Sequence, residues 1–423
     1  MGACVHEPDH HVVSPAANIT RLRQDSSLIG EDASVSTSAL PIVDIAPLRR
    51  NSRADIASVA RQLGEAAEGS GFIYIAGHGV SPNLQESVYR QAAEWFALTE
   101  EEKLEHYIGN SAHHRGYVPC SERGDYADEG DARTYEAFDL SLDLAPDDPD
   151  IGPDKPLLGP NVWPDQPGFK QTVGAYYDQM AELGRILTSA FELYLGVAPG
   201  AMRNRMDKPT SQLRLLHYLP TPQARSSRPP SWSAELAAAL SGSRSTRSGS
   251  LMTGDTPVNM GAHTDYECFT LLHQRNPGLQ VLNNDNQWML APPVDGTYVI
   301  NIGDMLETWT NGRFRATVHR VVSQGEERMS MPFFVAADYD AVVQPLPELV
   351  PRGEQPRYPA LVAGHHLMGQ LLRDFPYLRR RHERGELKLP FEIPDGNPFE
   401  QRRLAAHAAG ASTVSTASSA IAA

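Results

Sequence analysis

Cysteine is scarce: Cys4, Cys120 and Cys268 are the only three in 423 residues, and they are widely separated. So few thiols cannot build a disulfide framework, which points to a reducing compartment. Positive charge is the second shortage. Lys and Arg number 37 against 52 Asp and Glu, a formal charge of -15. Nucleic acid and anionic membranes require a basic face, so neither is an expected partner. Long apolar runs are also missing, since none approaches the roughly 18 residues that span a bilayer. The opening MGACVHEPDHHVVSP has neither the basic start nor the apolar centre of a secretory signal. His6 stands where a myristoylation signal on Gly2 would need Ser or Thr. No internal repeat is visible. These absences describe a cytoplasmic protein, for which the monomer is the default expectation. Its 41% hydrophobic content suits a sizeable globular core.

Residues 1–38 are polar and aperiodic and read as a disordered tail. A mixed α/β region is expected over 39–160. It begins with the short strand LPIVDIAPL, then a helix through RADIASVARQLGEAAEG and a buried strand in FIYIAGHGV. Residues 82–104 read as one amphipathic helix, with TEEEK marking an acidic helix start near its end. The Pro- and Asp-rich stretch that begins DLSLDLAPDDPD is loop. Over 161–345 we expect the catalytic core, opened by a long helix at 171–195 and the strand SQLRLLHYLP. A low-complexity insertion rich in Ser, Arg and Gly occupies 221–257. Short β-type runs then alternate with Gly, Asn, Asp and Pro turns: FTLLHQ, LQVLN, QWMLAPP, TYVINIG, ATVHRVV, RMSMPFFVAA. Such spacing predicts a mainly β fold with flanking helices, built on a double-stranded β-helix, or jelly roll. Residues 346–404 form a helical region containing one helix through HHLMGQLLRDFPYLRRRHERGEL, and 405–423 form a loose tail.

Within NMGAHTDYECF, His263 and Asp265 stand one residue apart at the end of a strand-like run. Alone, the pair is as compatible with a capped strand end as with metal ligation. A second histidine, His319 in RFRATVHRVV, can close a site if its strand faces the first across the barrel mouth. Two imidazoles and one carboxylate on one face of a metal are the facial triad of non-haem Fe(II) oxygenases, whose open positions take cosubstrate and O2. No cysteine stands where a zinc-thiolate site would need one, and a continuing strand would turn Cys268 away from Asp265. In RMS, Arg328 and Ser330 sit two residues apart and share a strand face. A guanidinium fork with a hydroxyl grips a carboxylate at a fixed angle, so a dicarboxylic 2-oxo acid could bridge metal and arginine. Gly303-Asp304 and Asn311-Gly312 read as turns, the latter a hairpin signal. Trp309, Tyr117 and Phe334 are candidates for either core or pocket. His113, His114, His365 and His366 are expected at the surface or as capping groups.

These motifs resemble the isopenicillin N synthase-like family of 2-oxoglutarate and Fe(II)-dependent oxygenases. The resemblance runs through LPIVDIAPL, GFIYIAGHGV, HRGYVP, LRLLHYLP, AHTDYECFTLLHQ, PGLQV, YVINIGDMLETWTNGRFRATVHRV and RMSMPFF, in order. It implies His263, Asp265 and His319 as iron ligands and catalytic centre, and Arg328 and Ser330 as partners of the 2-oxoglutarate C5 carboxylate. Tyr218 is implied as a further cosubstrate contact. Gly77 stands where many relatives carry Asn, ahead of a His-Gly pair expected to be structural. The implied activity is O2-dependent oxidation of a small organic substrate, by hydroxylation, desaturation or ring formation, with release of succinate and CO2. Related halogenases have a small residue in place of Asp265, so halogenation is not expected. Two alternatives stay open: an Fe(II) oxidase of the isopenicillin N synthase type, whose Arg-x-Ser grips the substrate instead, and a metal-holding jelly roll without turnover.

Overall fold

A computed structural model describes residues 40–49, 53–122, 134–220, 258–284, 287–322, 325–393 and 399. The expected tails at 1–38 and 405–423 and the insertion at 221–257 lie outside the described residues. Contacts group Ser34–Glu392 into one compact unit, which holds both sheets and their helices.

Its strands, in chain order, are β1 (Ile42–Asp44), β2 (Phe72–Ala76), β3 (Gly116–Val118), β4 (Tyr135–Ser141), β5 (Gln212–Tyr218), β6 (Val258–His263) and β7 (Phe269–Gln274). There follow β8 (Leu279–Leu282), β9 (Trp288–Leu290), β10 (Thr297–Ile302), β11 (His319–Val322), β12 (Arg328–Val335) and a small ribbon of β13 (Val342–Val343) and β14 (Leu361–Val362). The helices are α1 (Arg53–Gly69), α2 (Pro82–Phe96), α3 (Glu100–Leu104), α4 (Phe169–Leu195), α5 (Asp304–Trp309), α6 (Ala363–Asp374) and α7 (Pro376–Glu383). Eight strands form a major sheet in the order β1-β2-β10-β7-β12-β5-β4-β3, and four form a minor sheet, β6-β11-β8-β9. This is the jelly roll with flanking helices that the strand spacing predicts.

The two faces of the major sheet meet different partners. The central strand β10, TYVINI, is buried at every position because both of its faces are covered. Along β12, Phe333 points outward and meets Tyr177 of α4 edge to face, with ring centres 5.1 Å apart. Phe191 of the same helix packs on Phe269 of β7 at 5.6 Å. The residues alternating with Phe333 point inward, toward the minor sheet. Between the sheets, Phe72, Tyr74, Leu272 and Val299 pack with Leu279, Val281 and Met289. Burial of each such side chain contributes about 1.5–3 kcal/mol before conformational entropy is counted.

Local chemistry corrects several expectations. Residues 82–104 are two helices, not one: Thr99 caps α3, accepting from the Glu102 backbone N–H while Glu102 Oε2 accepts from the Thr99 N–H at 2.8 Å. A capping box starts a new helix, and TEEEK is the acidic helix start expected from the sequence, here of a separate helix. The C-terminal helix likewise divides at Phe375-Pro376, because the residue before proline is driven to extended backbone, here φ -119 and ψ 102. Asn311 and Gly312 do not turn a hairpin. They follow α5 with φ 53 and 79 and end that helix in the left-handed region that Asn and Gly tolerate. Gly77 has φ 66, which accounts for Gly here and Asn in related sequences, since both enter that region readily.

Candidate active site

His263 is the last residue of β6 and His319 the first of β11, and the two strands pair directly, His263 opposite His319. The histidines are therefore cross-strand neighbours in the minor sheet and do not face each other across the barrel mouth. Their ring centres lie 4.3 Å apart. Asp265 projects from the loop after β6. Its Oδ1 lies 3.7 Å from His263 Nε2 and 3.5 Å from His319 Nε2. One ligand atom from each of the three residues falls within 4.8 Å of the others, the one such group of metal-binding side chains among the described residues.

The hydrogen bonds around this group fix the orientation of its side chains. His263 Nδ1 donates to the Gly261 carbonyl at 2.8 Å and His319 Nδ1 to the Thr317 carbonyl at 3.2 Å. These bonds orient the two rings so that each Nε2 is turned toward Asp265 Oδ1. Asp265 Oδ2 accepts from Asn301 Nδ2 at 2.6 Å and from the Thr270 hydroxyl, which leaves Oδ1 as the open ligand atom. Burial, reinforced by the neighbouring His319, lowers His263 to about 4, so the ring is neutral near pH 7. Burial alone would raise Asp265, but the two histidines and the bonds from Thr270 and Asn301 outweigh it and hold the carboxyl below its usual range. A neutral His263 ring and an ionised Asp265 carboxylate are protonation states that suit a divalent metal. The donor set fits Fe(II).

Arg328, Ser330 and Tyr218 line the same cavity as the triad. Arg328 and Tyr218 face each other across the β5–β12 pair, and the guanidinium lies over the tyrosine ring, 4.7 Å from its centre. Arg328 is buried and held from behind: Nη2 donates to Gln274 Oε1 and Nε to the Asn276 carbonyl, both at 3.2 Å. Its Nη1 stands 3.5 Å from Ser330 Oγ, so the i, i+2 spacing does bring fork and hydroxyl together.

The remaining candidates divide. Phe334 lines the cavity, whereas Trp309 is core. Tyr117 is buried away from the cavity, donating to Glu136 Oε2 at 2.6 Å. Cys268 precedes β7 and is buried, so its placement does not come from a continuing strand. His78 is structural: it is buried, and its Nδ1 accepts from the Val80 N–H at 3.1 Å. His114 and His366 are not surface groups. His114 is buried, with Nδ1 2.6 Å from the Tyr377 hydroxyl and its ring against Phe375, and His366 is buried on α6.

Sequence reasoning missed Asn301 and Thr270, which hold Asp265, and Gln274, which holds Arg328. Each is a polar residue at a buried strand position, a signal visible in the sequence once the inward face is known. It also missed Gln212 and Arg214, which share the inward face of β5 with Tyr218, and Tyr266, Glu267 and Asp374, which complete the far wall. Burial, then the nearby charge of Asp265, pushes Glu267 up to about 8.

Two histidines and an aspartate that could hold one metal ion, with a buried arginine in the same cavity, are the arrangement expected of a non-haem iron oxygenase. Residues 210–337 match the 2OG-Fe(II) oxygenase superfamily, and residues 40–166 match the non-haem dioxygenase in morphine synthesis N-terminal family. The chain is 30% identical over 345 residues to the 2-oxoglutarate-Fe(II) type oxidoreductase hxnY of Emericella nidulans, covering 79% of this chain and 90% of the relative. It is 31% identical to homoarginine-6-hydroxylase 2-ODD-C23 of Glycine max, covering 80% and 98%. Among solved structures, a 2OG-Fe(II) oxygenase family protein from Caulobacter crescentus superposes with a TM-score of 0.63 at 29% identity, over 79% of this chain and 98% of that one. The chain belongs to the 2OG-Fe(II) oxygenase superfamily. It is an oxidoreductase that uses Fe(II), 2-oxoglutarate and O2.

Proposed function

We propose that His263, Asp265 and His319 hold the iron, and that Arg328, Ser330 and Tyr218 receive the C5 carboxylate of 2-oxoglutarate. The enzyme then hydroxylates, desaturates or cyclises a small organic substrate in secondary metabolism. The observation that carries this reading is the convergence, in one cavity, of two Nε2 atoms and Asp265 Oδ1 with a buried Arg328–Ser330 fork. Bound iron with 2-oxoglutarate supplies O2 activation coupled to decarboxylation. The chain supplies position. Carbonyl acceptors at both Nδ1 atoms fix the imidazole planes, and Asn301 and Thr270 fix the carboxylate. Gln274 and the Asn276 carbonyl aim the Arg328 fork, and Leu216, Leu272, Leu279 and Phe334 keep water from the reacting centre. The homoarginine hydroxylase among the relatives is named for an amino-acid substrate, which supports a small polar molecule here.

The test is an anaerobic titration of the apoprotein with Fe(II) and 2-oxoglutarate, followed by the visible metal-to-ligand charge-transfer band. We expect a band that requires both components and is lost in His319→Ala. Arg328→Ala should raise the 2-oxoglutarate concentration needed by at least about tenfold, as loss of a buried charge-assisted pair implies. Iron binding without any band would favour the oxidase, with Arg328 gripping substrate instead.

We also infer a cytoplasmic monomer. Cys268 is a free, buried thiol, and no described helix is long and apolar enough to cross a membrane. Light scattering should return a mass near 46.4 kDa.

A further inference from the structure

The cavity has a second polar end that iron and 2-oxoglutarate do not use. Gln212, Arg214, Leu216 and Tyr218 face inward along β5, as alternation requires, and Arg328 and Phe334 mark the two ends of the facing strand β12. Tyr218 pairs with Arg328 at the cosubstrate end, and Gln212 pairs with Phe334 at the other. Two strand repeats separate Arg214 from Tyr218, roughly 13 Å at about 3.3 Å per residue. Arg214 therefore stands at the end left for the primary substrate.

The charge at that end is unbalanced toward acid. Arg214 donates from Nε and Nη2 to the two oxygens of the fully buried Asp139, both at 2.7 Å, so its charge is matched before any ligand arrives. Asp374, at the end of α6, also lies within electrostatic reach of Arg214 and accepts from the Tyr266 hydroxyl at 2.9 Å. Glu267 is a third carboxyl in reach of the same guanidinium. It is 4% exposed and lines the cavity, and its carboxyl has no hydrogen-bond partner beyond its own backbone. A buried carboxyl left without donors is costly, and a ligand that brings donors relieves that cost. An anionic substrate would instead face Asp374 and Glu267 with no unmatched cation to receive it.

We propose that Glu267, together with Asp374 on the wall of the same cavity, is the subsite for a basic nitrogen of the primary substrate, an amine or a guanidine. The proposal rests on the assignment of iron and 2-oxoglutarate to this same cavity and adds the substrate's chemical class. The positive charge of the bound nitrogen favours the ionised form of Glu267, and together with Asp374 that carboxylate sets the orientation of the substrate over the metal, while Arg328 holds the cosubstrate at the opposite end.

The experiment uses the full chain loaded with Mn(II) in place of Fe(II) and with 2-oxoglutarate. Paramagnetic relaxation of the methyl protons is read for four fragments: methylguanidinium, methylammonium, the neutral isostere methylurea, and methanesulfonate. We expect the two cations to relax strongly and the other two to stay near the free value. Both Glu267→Gln and Asp374→Asn should weaken the cation effect about tenfold while leaving Mn(II) and 2-oxoglutarate loading intact by calorimetry. Methylurea or methanesulfonate relaxing as strongly as the cations would overturn the proposal. So would a cation effect that survives Glu267→Gln, or no cation effect in a loaded protein. Failure of loading itself would instead bring down the metal assignment, and the subsite defined beside it.

Discussion

Asn301 is the fifth of the six residues of β10, and its amide donates to Asp265 Oδ2, the oxygen other than the one nearest the two histidines. If that bond fixes which carboxylate oxygen faces the metal, Asn301→Ala should lower Fe(II) affinity about 10–100-fold, the usual cost of losing a ligand's supporting bond. Calorimetric titration under anaerobic conditions measures it, with far-UV dichroism as the check that the fold persists. Unchanged affinity would leave Thr270 alone as the support. Gly303 makes a comparable demand of geometry. A Cβ there would lie 2.3 Å from the Glu267 carbonyl oxygen, a backbone atom that cannot swing away. Close approach keeps the start of α5 against the triad loop, where the Asp304 N–H donates to the Asp265 carbonyl at 2.9 Å. Gly303→Ala should destabilise the protein by about 1–3 kcal/mol, read from denaturant midpoints.

At the scale of elements, one buried polar network ties α3, β3, β4 and β5 to the residue before Arg328. Glu136 accepts from Lys103 Nζ at 2.7 Å and from the Tyr117 hydroxyl, and its Oε1 lies 2.8 Å from His217 Nδ1. His217 Nε2 reaches Glu327 Oε1 at 2.8 Å. Burial works against both charges. The hydrogen bonds from His217, Lys103 and Tyr117 nevertheless hold Glu136 below its ordinary 4.5, and those to Glu136 and Glu327 hold His217 above its ordinary 6.5. The Glu136 contribution is present above pH 4.5 and is lost as pH falls through the lower folded value. The His217 contribution is present below pH 6.5 and is lost as pH rises through the higher folded value. The stability gap between wild type and His217→Gln should therefore shrink as pH is raised above 6.5, and that for Glu136→Gln should shrink as pH is lowered below 4.5. Urea unfolding from about pH 4 to 9 tests both, and gaps that do not change with pH would show the network to be held by packing alone.

The whole molecule couples the two ends of its chemistry through ligand binding. Fe(II) and 2-oxoglutarate bind the folded jelly roll and not the unfolded chain, so each should stabilise it; a ligand at a hundredfold its Kd adds about 2.7 kcal/mol. Thermal scans should show one rise in midpoint with Fe(II) and a second with 2-oxoglutarate. Arg328→Ala should lose only the second, His319→Ala both, and a chelator should reverse both in the wild type. A second rise that survives Arg328→Ala would remove the cosubstrate from that arginine.

The sequence by itself determined the strand-rich core, the long helix at 171–195, the HxD pair, the second histidine and the Arg-x-Ser fork. These are local facts. Side-chain alternation, helical periodicity and the chemistry of a residue type need no knowledge of distant chain. Helix ends were less legible where a capping box or a proline divided an apparently continuous pattern, as at Thr99 and Pro376. Only the tertiary structure decided that β6 and β11 are partners, which makes His263 and His319 neighbours in one sheet. It alone brought Asn301, Thr270, Arg214, Glu267 and Asp374 to one cavity from three strands, a loop and a helix. The reason is physical: strand order and register are set by the packing of two whole sheets, and a polar side chain has the same local pattern whether it faces solvent or closes on a metal.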